Sequence, residues 1–323
     1  ASEFRTFFPK NAVHYFVSYY DYYQPEAYIP RTDTYIEKET ELNEEIDRLR
    51  HASTQAILSR RDTIIVASVS CIYSLGSPEE YQGMAITITR GTTIPRTKLF
   101  RTLTNMQYAR TDMDFKRGTF RVRGDLVEIY PVMAEHQAIR LDFFGDTLEK
   151  ITEVDALTGE TVIPLETVDL YPARHYIMPH EKLVAVLADI RADMEKEVAA
   201  LEQEGKALEA HRLRQRTTYD LEMIETTGFV SGIENYSRYF DGRIPGQPPY
   251  TLMDFFPKDY LLFIDESHMS VPQIGGMSGG DRARKEMLVR YGFRLRSAYD
   301  NRPLRFEEFD QKINQVIYVS ATP

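Results

Sequence analysis

Two adjacent carboxylates, Asp265 and Glu266, follow the apolar run Tyr260-Leu261-Leu262-Phe263-Ile264 and precede Ser267 and His268. An acid at the end of a parallel strand can hold a hydrated Mg²⁺, which prefers one or two carboxylates plus phosphate oxygens. A second acid beside it can polarise or position the water that attacks a phosphoryl group. Four letters alone also fit a solvated turn, and it is the strand in front of them that favours the chemical reading. A second suggestive set is aromatic. Tyr19, Tyr20, Tyr22, Tyr23, Tyr28 and Tyr35 fall within seventeen residues. Tyrosine joins a flat apolar body to a polar tip, and aromatic faces stack on nucleic-acid bases with little sequence preference, at about 1–3 kcal/mol per base. The competing reading is an aromatic hairpin packed into a core. A third set, Ser320, Ala321 and Thr322, follows the run Val316-Ile317-Tyr318-Val319. Small hydroxyl residues there suit a link between a nucleotide site and a nucleic-acid track, although a plain strand-end turn is the simpler reading.

Other chemistries find no support. The pattern G-x-x-x-x-G-K-[ST], whose backbone amides cradle phosphates, occurs nowhere in the chain. Ile274-Gly275-Gly276-Met277-Ser278-Gly279-Gly280-Asp281 is rich in glycine but lacks that ending, and it reads as a flexible loop. The histidines make no metal-ligand spacing with the lone Cys71, so no zinc site is expected. Cys71 sits in an apolar stretch and reads as a packed thiol. No Gly-x-Ser-x-Gly elbow is present, which leaves serine hydrolysis without a basis.

The elements that must position these residues follow from periodicity. Residues 63–68, 260–264 and 316–319 are short apolar runs ending in a small or acidic residue. Such runs read as parallel strands buried on both faces, and ligands bind past the C-terminal ends of such strands. The three are therefore expected at one edge of one sheet, with the intervening sequence as insertions. The tyrosine segment, punctuated by Pro25 and Pro30, reads as a long β-hairpin. Residues 42–58 carry Ile46, Leu49, Ala52, Ala56 and Ile57 at helical spacing. Between residues 83 and 171, alternating strands turn at Gly124-Asp125 and Gly145-Asp146, which predicts an antiparallel sheet. Alternation puts Phe120 and Val122 on one face and Arg121 and Arg123 on the other, with Arg140 and Asp142 opposing Ile139, Leu141 and Phe143. The expected result is an outer face studded with arginine. Leu183, Leu187, Ile190, Met194, Val198 and Leu201 make an apolar helical stripe, and Gly205 marks a break between helices.

The 323 residues suffice for two domains or more. No apolar run approaches the ~18 residues of a membrane span, the start lacks a signal-peptide pattern, and one cysteine permits no internal disulfide. A cytoplasmic setting fits. The net charge of −10 argues against a generic DNA-coating protein. Local patches remain open: between Arg90 and Arg123 lie seven arginines and two lysines against only Asp112 and Asp114.

These strings together resemble the UvrB family, the damage-verifying subunit of the bacterial UvrABC excinuclease. The resemblance rests on the tyrosine hairpin from Tyr15 to Lys38, Ile65-Val66-Ala67-Ser68-Val69-Ser70-Cys71-Ile72-Tyr73, Asn105-Met106-Gln107-Tyr108-Ala109-Arg110, Asp265-Glu266-Ser267-His268, and Ser320-Ala321-Thr322-Pro323. It implies an α/β fold: an incomplete RecA-like domain of superfamily 2 helicase type, in residues 1–16, 44–83 and 257–323. Residues 17–43 would form a DNA-probing β-hairpin, 84–172 a β-rich UvrA-interaction domain, and 173–256 a mainly helical DNA-binding domain. By the same resemblance Tyr19, Tyr20, Tyr22 and Tyr23 handle DNA at the hairpin base, and Tyr28 and Tyr35 are further hairpin aromatics. Asp265 and Glu266 match the Mg²⁺ and water-activating acids, with Asp265 reaching Mg²⁺ through the nucleotide. Arg110, Arg121, Arg123, Arg140 and Asp142 match the UvrA-binding region, and Ser320, Ala321 and Thr322 a coupling motif. The implied partners are damaged double-stranded DNA, UvrA and UvrC, with no membrane. ATP and Mg²⁺ are the implied cofactors of the full-length protein. The chain reads as an internal fragment without the phosphate-binding loop, expected to bind neither cofactor tightly and to be inactive alone. A non-catalytic UvrA-binding module, or a relative of the transcription-repair coupling factor, is the alternative.

Overall fold

The computed structural model describes residues 1–17, 25–37 and 43–321, with the backbone only at His180. The chain forms two compact units. One comprises residues 1–16, 42–66 and 79–179, and the other 17–41, 67–78 and 180–323. In chain order, helix α1 (Ser2–Phe7) and strand β1 (Ala12–Phe16) precede the short strands β2 (Ala27–Ile29) and β3 (Thr34–Ile36). Helix α2 (Glu44–Ser59), β4 (Thr63–Ala67), α3 (Pro78–Gly83), β5 (Ile86–Thr89) and α4 (Arg96–Asn105) follow. Next come β6 (Ala109–Arg110), β7 (Thr119–Arg123), β8 (Leu126–Tyr130), β9 (Gln137–Phe144), β10 (Thr147–Asp155), β11 (Thr161–Leu165) and β12 (Thr167–Leu170). The remainder is α5 (His180–Gln203), α6 (Ala207–Thr227), α7 (Ser237–Phe240), β13 (Leu261–Ile264), α8 (Ser267–Arg290), α9 (Phe306–Lys312) and β14 (Gln315–Tyr318).

In the first unit the Asn43 side chain accepts hydrogen bonds from the amides of Glu45 and Ile46 and so starts α2. Glu44, Glu45 and Asp47 in its first turn suit the positive end of the helix dipole. Strands β6 to β11 form one sheet in sequence order, antiparallel except for the β6–β7 pair. Period-2 alternation aims Phe120, Val127, Ile129, Ile139, Leu141 and Ile151 into a core closed by Leu99 and Leu103 of α4. Each such side chain contributes about 1.5–3 kcal/mol by leaving water. The sheet predicted between residues 83 and 171 is thus present with its facing as expected.

In the second unit α5 buries Val186, Ile190, Met194 and Val198, and α6 buries Ala210, Leu213, Leu221 and Ile224. The break between them falls at Gly205, whose φ of +75° only glycine adopts cheaply. Strands β13 and β14 run parallel in the register Leu261↔Gln315 to Ile264↔Tyr318. Ile264 packs with Ile72, Ile274, Leu304 and Phe309.

Three expectations need correction. The three apolar runs do not share one sheet: β4 pairs with β1, whereas β13 and β14 pair with each other. Nor are β13 and β14 buried on both faces among the described residues, since Leu261, Phe263, Ile317 and Tyr318 remain exposed. A run of apolar residues marks a strand, but its neighbours are chosen by pairing across the fold, which the run does not encode. The glycine-rich stretch 274–281, expected as a loop, lies inside α8, which also contains Pro272. Glycine lowers helix stability by only about 1 kcal/mol relative to alanine. Four glycines and Pro272 multiply that cost, and the helix is anchored by burial of Ile274 and Leu288 and by the buried Asp281–Lys285 pair.

Candidate functional site

Strand β13 delivers Asp265 and Glu266 to its C-terminal end, where both are exposed. The reversal into α8 puts Glu266 at φ +45°, a left-handed conformation that costs a non-glycine residue on the order of 1 kcal/mol. Local bonds hold it. The Glu266 amide donates to Asp265 Oδ1 at 3.0 Å, and Ser270 Oγ donates to the Asp265 carbonyl at 2.8 Å. The Ser267 amide donates to the Val319 carbonyl at 2.8 Å, which brings the end of β14 to the same corner. His268 bridges the two motifs, its Nδ1 lying 3.4 Å from Glu266 Oε2 and 3.0 Å from Ser320 Oγ. Asp265, Glu266, Ser320 and the exposed Ala321 therefore share one strand-end corner; Thr322 lies outside the described residues. Reading the sequence missed His268, because histidines were weighed only for metal spacing. Its place directly after Asp265-Glu266-Ser267 was the available signal. The corner offers two carboxylates, which fits a Mg²⁺ that takes most of its ligands from water and phosphate. Among the described residues no group of three or more acidic, histidine or cysteine side chains could hold a metal alone.

Of the six tyrosines, Tyr19, Tyr20, Tyr22 and Tyr23 lie outside the described residues. The other two sit on β2 and β3, which pair antiparallel with Tyr28 opposite Tyr35. Tyr28 is only 8% exposed, its ring 4.9 Å from that of Tyr291 and 4.7 Å from that of Phe293, and its hydroxyl donates to Asp33 Oδ1 at 2.6 Å. Tyr35 stacks on Phe293 at 4.6 Å and 4° and donates to Glu26 Oε1. Burial, then the Glu26 charge, push the Tyr35 hydroxyl above its ordinary range, so it stays a donor. Both rings are thus occupied by protein neighbours.

Below the tyrosines lies a buried ionic lattice. Arg294 Nε donates to both Glu26 oxygens at 3.0 and 2.9 Å, and its Nη1 donates to Asp220 Oδ2 at 2.8 Å. The Tyr236 hydroxyl donates to the same Asp220 oxygen. Arg284 Nη1 adds a bond to the Glu26 carbonyl at 2.6 Å. Gly232 leaves room for this guanidinium: at φ +89°, a Cβ there would stand 2.8 Å from Arg294 Nη2. The charges alternate, which is the condition for burying ions at tolerable cost. Sequence periodicity missed all of it, because Glu26, Asp220 and Arg294 are distant in the chain and each reads alone as a surface charge.

On the β-rich sheet the arginine face is less open than its alternation implied. Arg121 Nε donates to Glu128 Oε2 at 2.6 Å, and Arg140 donates to Glu128 Oε1 from Nε at 3.1 Å and from Nη2 at 2.9 Å. Burial of Glu128 opposes its ionisation, but the two guanidiniums outweigh it and hold the carboxyl below its usual range. Arg121 also lies 4.1 Å over the Phe115 ring. Arg110 and Arg123 are exposed and Asp142 is half-buried. Cross-strand register brings Arg121, Glu128 and Arg140 into one row, with Arg123, Leu126 and Asp142 in the next. Glu128 was legible as the residue opposite Arg121 once the Gly124-Asp125 turn was read.

A strand-end acid corner, a β-rich insert with a clamped arginine row, and a helical insert anchoring an aromatic hairpin define a multi-part α/β protein. Residues 86–176 match the family model described as UvrB interaction domain, and residues 181–242 that described as UvrB third helical domain. UvrABC system protein B of Caldicellulosiruptor bescii is 59% identical over 322 residues, covering 100% of this chain and 49% of the relative. Its namesake from Geobacillus kaustophilus gives the same figures, and that from Streptococcus pneumoniae is 56% identical over 321 residues, 99% of this chain and 48% of the relative. The chain belongs to the UvrB family. It spans about half the length of these curated relatives. No helix among the described residues is long and apolar enough to cross a membrane.

Proposed function

We propose that this chain is the damage-probing part of a UvrB-type subunit of bacterial nucleotide excision repair. The observation that carries the reading is identity of 56–59% with UvrABC system protein B along the whole chain. On this reading UvrA loads the protein at damaged double-stranded DNA, the hairpin parts the strands, and UvrC is recruited for incision. Asp265 and Glu266 serve the nucleotide site, which they would do by holding Mg²⁺ against ATP phosphates and orienting water. Bound Mg²⁺ would supply charge neutralisation on the phosphates. His268 and Ser320 join that corner to the end of β14, which supports a coupling role for Ser320, Ala321 and Thr322. The RecA-like character of the strand pair belongs to the same proposal and is supported by its parallel register.

Tyr19, Tyr20, Tyr22 and Tyr23 are the residues proposed to touch DNA. Tyr28 and Tyr35, with both rings packed, act instead by fixing the hairpin. In the full-length protein, Tyr22→Ala combined with Tyr23→Ala should abolish stable complexes on a lesion-bearing duplex, measured by gel shift in the presence of UvrA and ATP. Complexes at wild-type level would remove the hairpin from DNA handling. A second reading, a UvrA-docking module, draws support from the match to the UvrB interaction domain. Arg110, Arg121, Arg123, Arg140 and Asp142 would contribute, with the exposed Arg110 and Arg123 meeting partner acids through their planar forks. The two readings are compatible within one protein.

A further inference from the structure

The second unit holds an open cavity of about 410 Å³, lined largely by charged and polar residues, that the sites above do not use. One wall is α8, at Ser278, Gly279, Asp281 and Arg282, and the opposite side is built by Tyr299, Asp300, Arg302 and Arg305 with Gly246 at the rim. Its acids are already answered. Asp281 accepts from Arg284 Nη2 at 2.7 Å and lies 2.8 Å from Lys285 Nζ. Asp300 accepts from Arg238 Nη1 at 3.0 Å and from the Gly246 amide at 2.8 Å. Arg302 is committed to a two-pronged pair with Glu308 at 2.6 and 2.7 Å.

Two guanidiniums remain. Arg282 and Arg305 are exposed; Arg282 has no ion-pair partner among the described residues, and Arg305, which caps α9, feels the Glu308 carboxylate without a close salt bridge to it. Arg282 is held flat, its Cζ 3.6 Å from the centroid of the Tyr299 ring, which orders the fork in advance and keeps its outer face open. Forked donors of this kind match the oxygens of a phosphate. The helix wall helps: a Cβ at Gly279 would meet nothing within 4 Å, so the helix surface there is bare and a ligand backbone can approach it. Ser278 adds a hydroxyl beside it.

We propose that this cavity is a subsite for one phosphate of a single-stranded DNA segment, gripped by Arg282 and Arg305. The proposal rests on the DNA-handling reading above and extends it to residues that no tyrosine argument reaches. Two cations without a nest of backbone amides suit a singly charged phosphodiester better than a nucleotide triphosphate. The flat Arg282–Tyr299 stack offers the neighbouring base a face. The cavity is also wired to the hairpin root, because Asp281 binds Arg284, and Arg284 holds the Glu26 carbonyl. A strand engaging Arg282 therefore lies one side chain from the anchor of β2.

The test is fluorescence anisotropy of a labelled oligothymidylate with the 323-residue chain, as wild type, Arg282→Ala with Arg305→Ala, and Gly279→Leu, which blocks the cavity while favouring the helix. The arginine pair variant should bind about tenfold more weakly. Its dependence of log affinity on log salt should be shallower by about 0.7, the loss of one single-strand phosphate neutralisation. Gly279→Leu should weaken binding to a similar degree, and circular dichroism should report unchanged melting for both. Wild-type affinity and slope in both variants overturn the subsite while leaving the DNA reading intact. Absence of oligothymidylate binding by the wild type overturns both. Competition by millimolar inorganic phosphate or ATP at wild-type strength, lost in the arginine variant, reassigns the cavity to a free phosphate ligand and overturns the strand assignment.

Discussion

At the scale of single residues, the fold buries ionisable groups in two different ways. Glu26, Asp220 and Arg294 are buried against one another as salt-bridge partners, whereas the buried His51 and the half-buried His175 are held as neutral rings. The two imidazoles stack at 3.9 Å; His51 Nδ1 lies 2.9 Å from the Tyr81 hydroxyl and His175 Nε2 lies 3.1 Å from Thr54 Oγ1. Burial, opposed by Asp47 and reinforced by Arg174 and Arg50, lowers His51 from 6.5 to about 4. Burial, then His51 and Arg50, lower His175 well below 6.5. Both are depressed relative to the unfolded chain, so the unfolded state binds more protons below pH 6.5. Stability is complete above that pH and falls as pH drops from about 6.5 towards 4, by up to ~1.4 kcal/mol per pH unit for each histidine. Urea unfolding at several pH values checks this, with His175→Phe expected to flatten the slope. A stability of the first unit that is level between pH 7 and pH 4.5 would contradict the neutral-pair account. None of this was legible in the sequence, where the histidines show only that they make no metal-ligand spacing with Cys71.

At the scale of elements, legibility followed periodicity. Strands β7 to β10 were readable because alternation and Gly-Asp turns agree on one register, and α2 and α5 because their apolar stripes have helical spacing. Helix α8 was not, since four glycines and Pro272 argue for a loop and only its long-range contacts decide otherwise. The hairpin shows the same division. Pairing of β2 with β3 is local, but its seat on Phe293, Asp220 and Arg294 comes from residues up to 268 positions away. That seat should govern the hairpin as an element. Arg294→Met removes the shared cation and leaves Glu26 and Asp220 buried without it, costing about 3–5 kcal/mol locally. Hydrogen exchange of residues 26–36 should then accelerate well before the β-rich sheet responds. Unchanged protection across residues 26–36 would show that Tyr28 and Tyr35 alone hold the strands.

At the scale of the whole molecule, a chain of net charge −10 is read here as handling an anionic polymer. The contradiction resolves locally: cations are placed singly, as at Arg282, or spent on internal acids, as at Arg121 and Arg140 on Glu128. An acidic whole also disfavours indiscriminate DNA coating. The distinctive strings from the hairpin to Ser320-Ala321-Thr322 made the family legible, and the comparisons agree with it. The measurement that bears most directly on this account is calorimetric titration of purified UvrA into the 323-residue chain without DNA or nucleotide. The account predicts saturable binding that weakens at least tenfold in the exposed-face variant Arg123→Glu and falls further on adding Arg110→Glu. Absence of binding, or binding indifferent to both charge reversals, would contradict the claim that this β-rich sheet is where the protein is loaded.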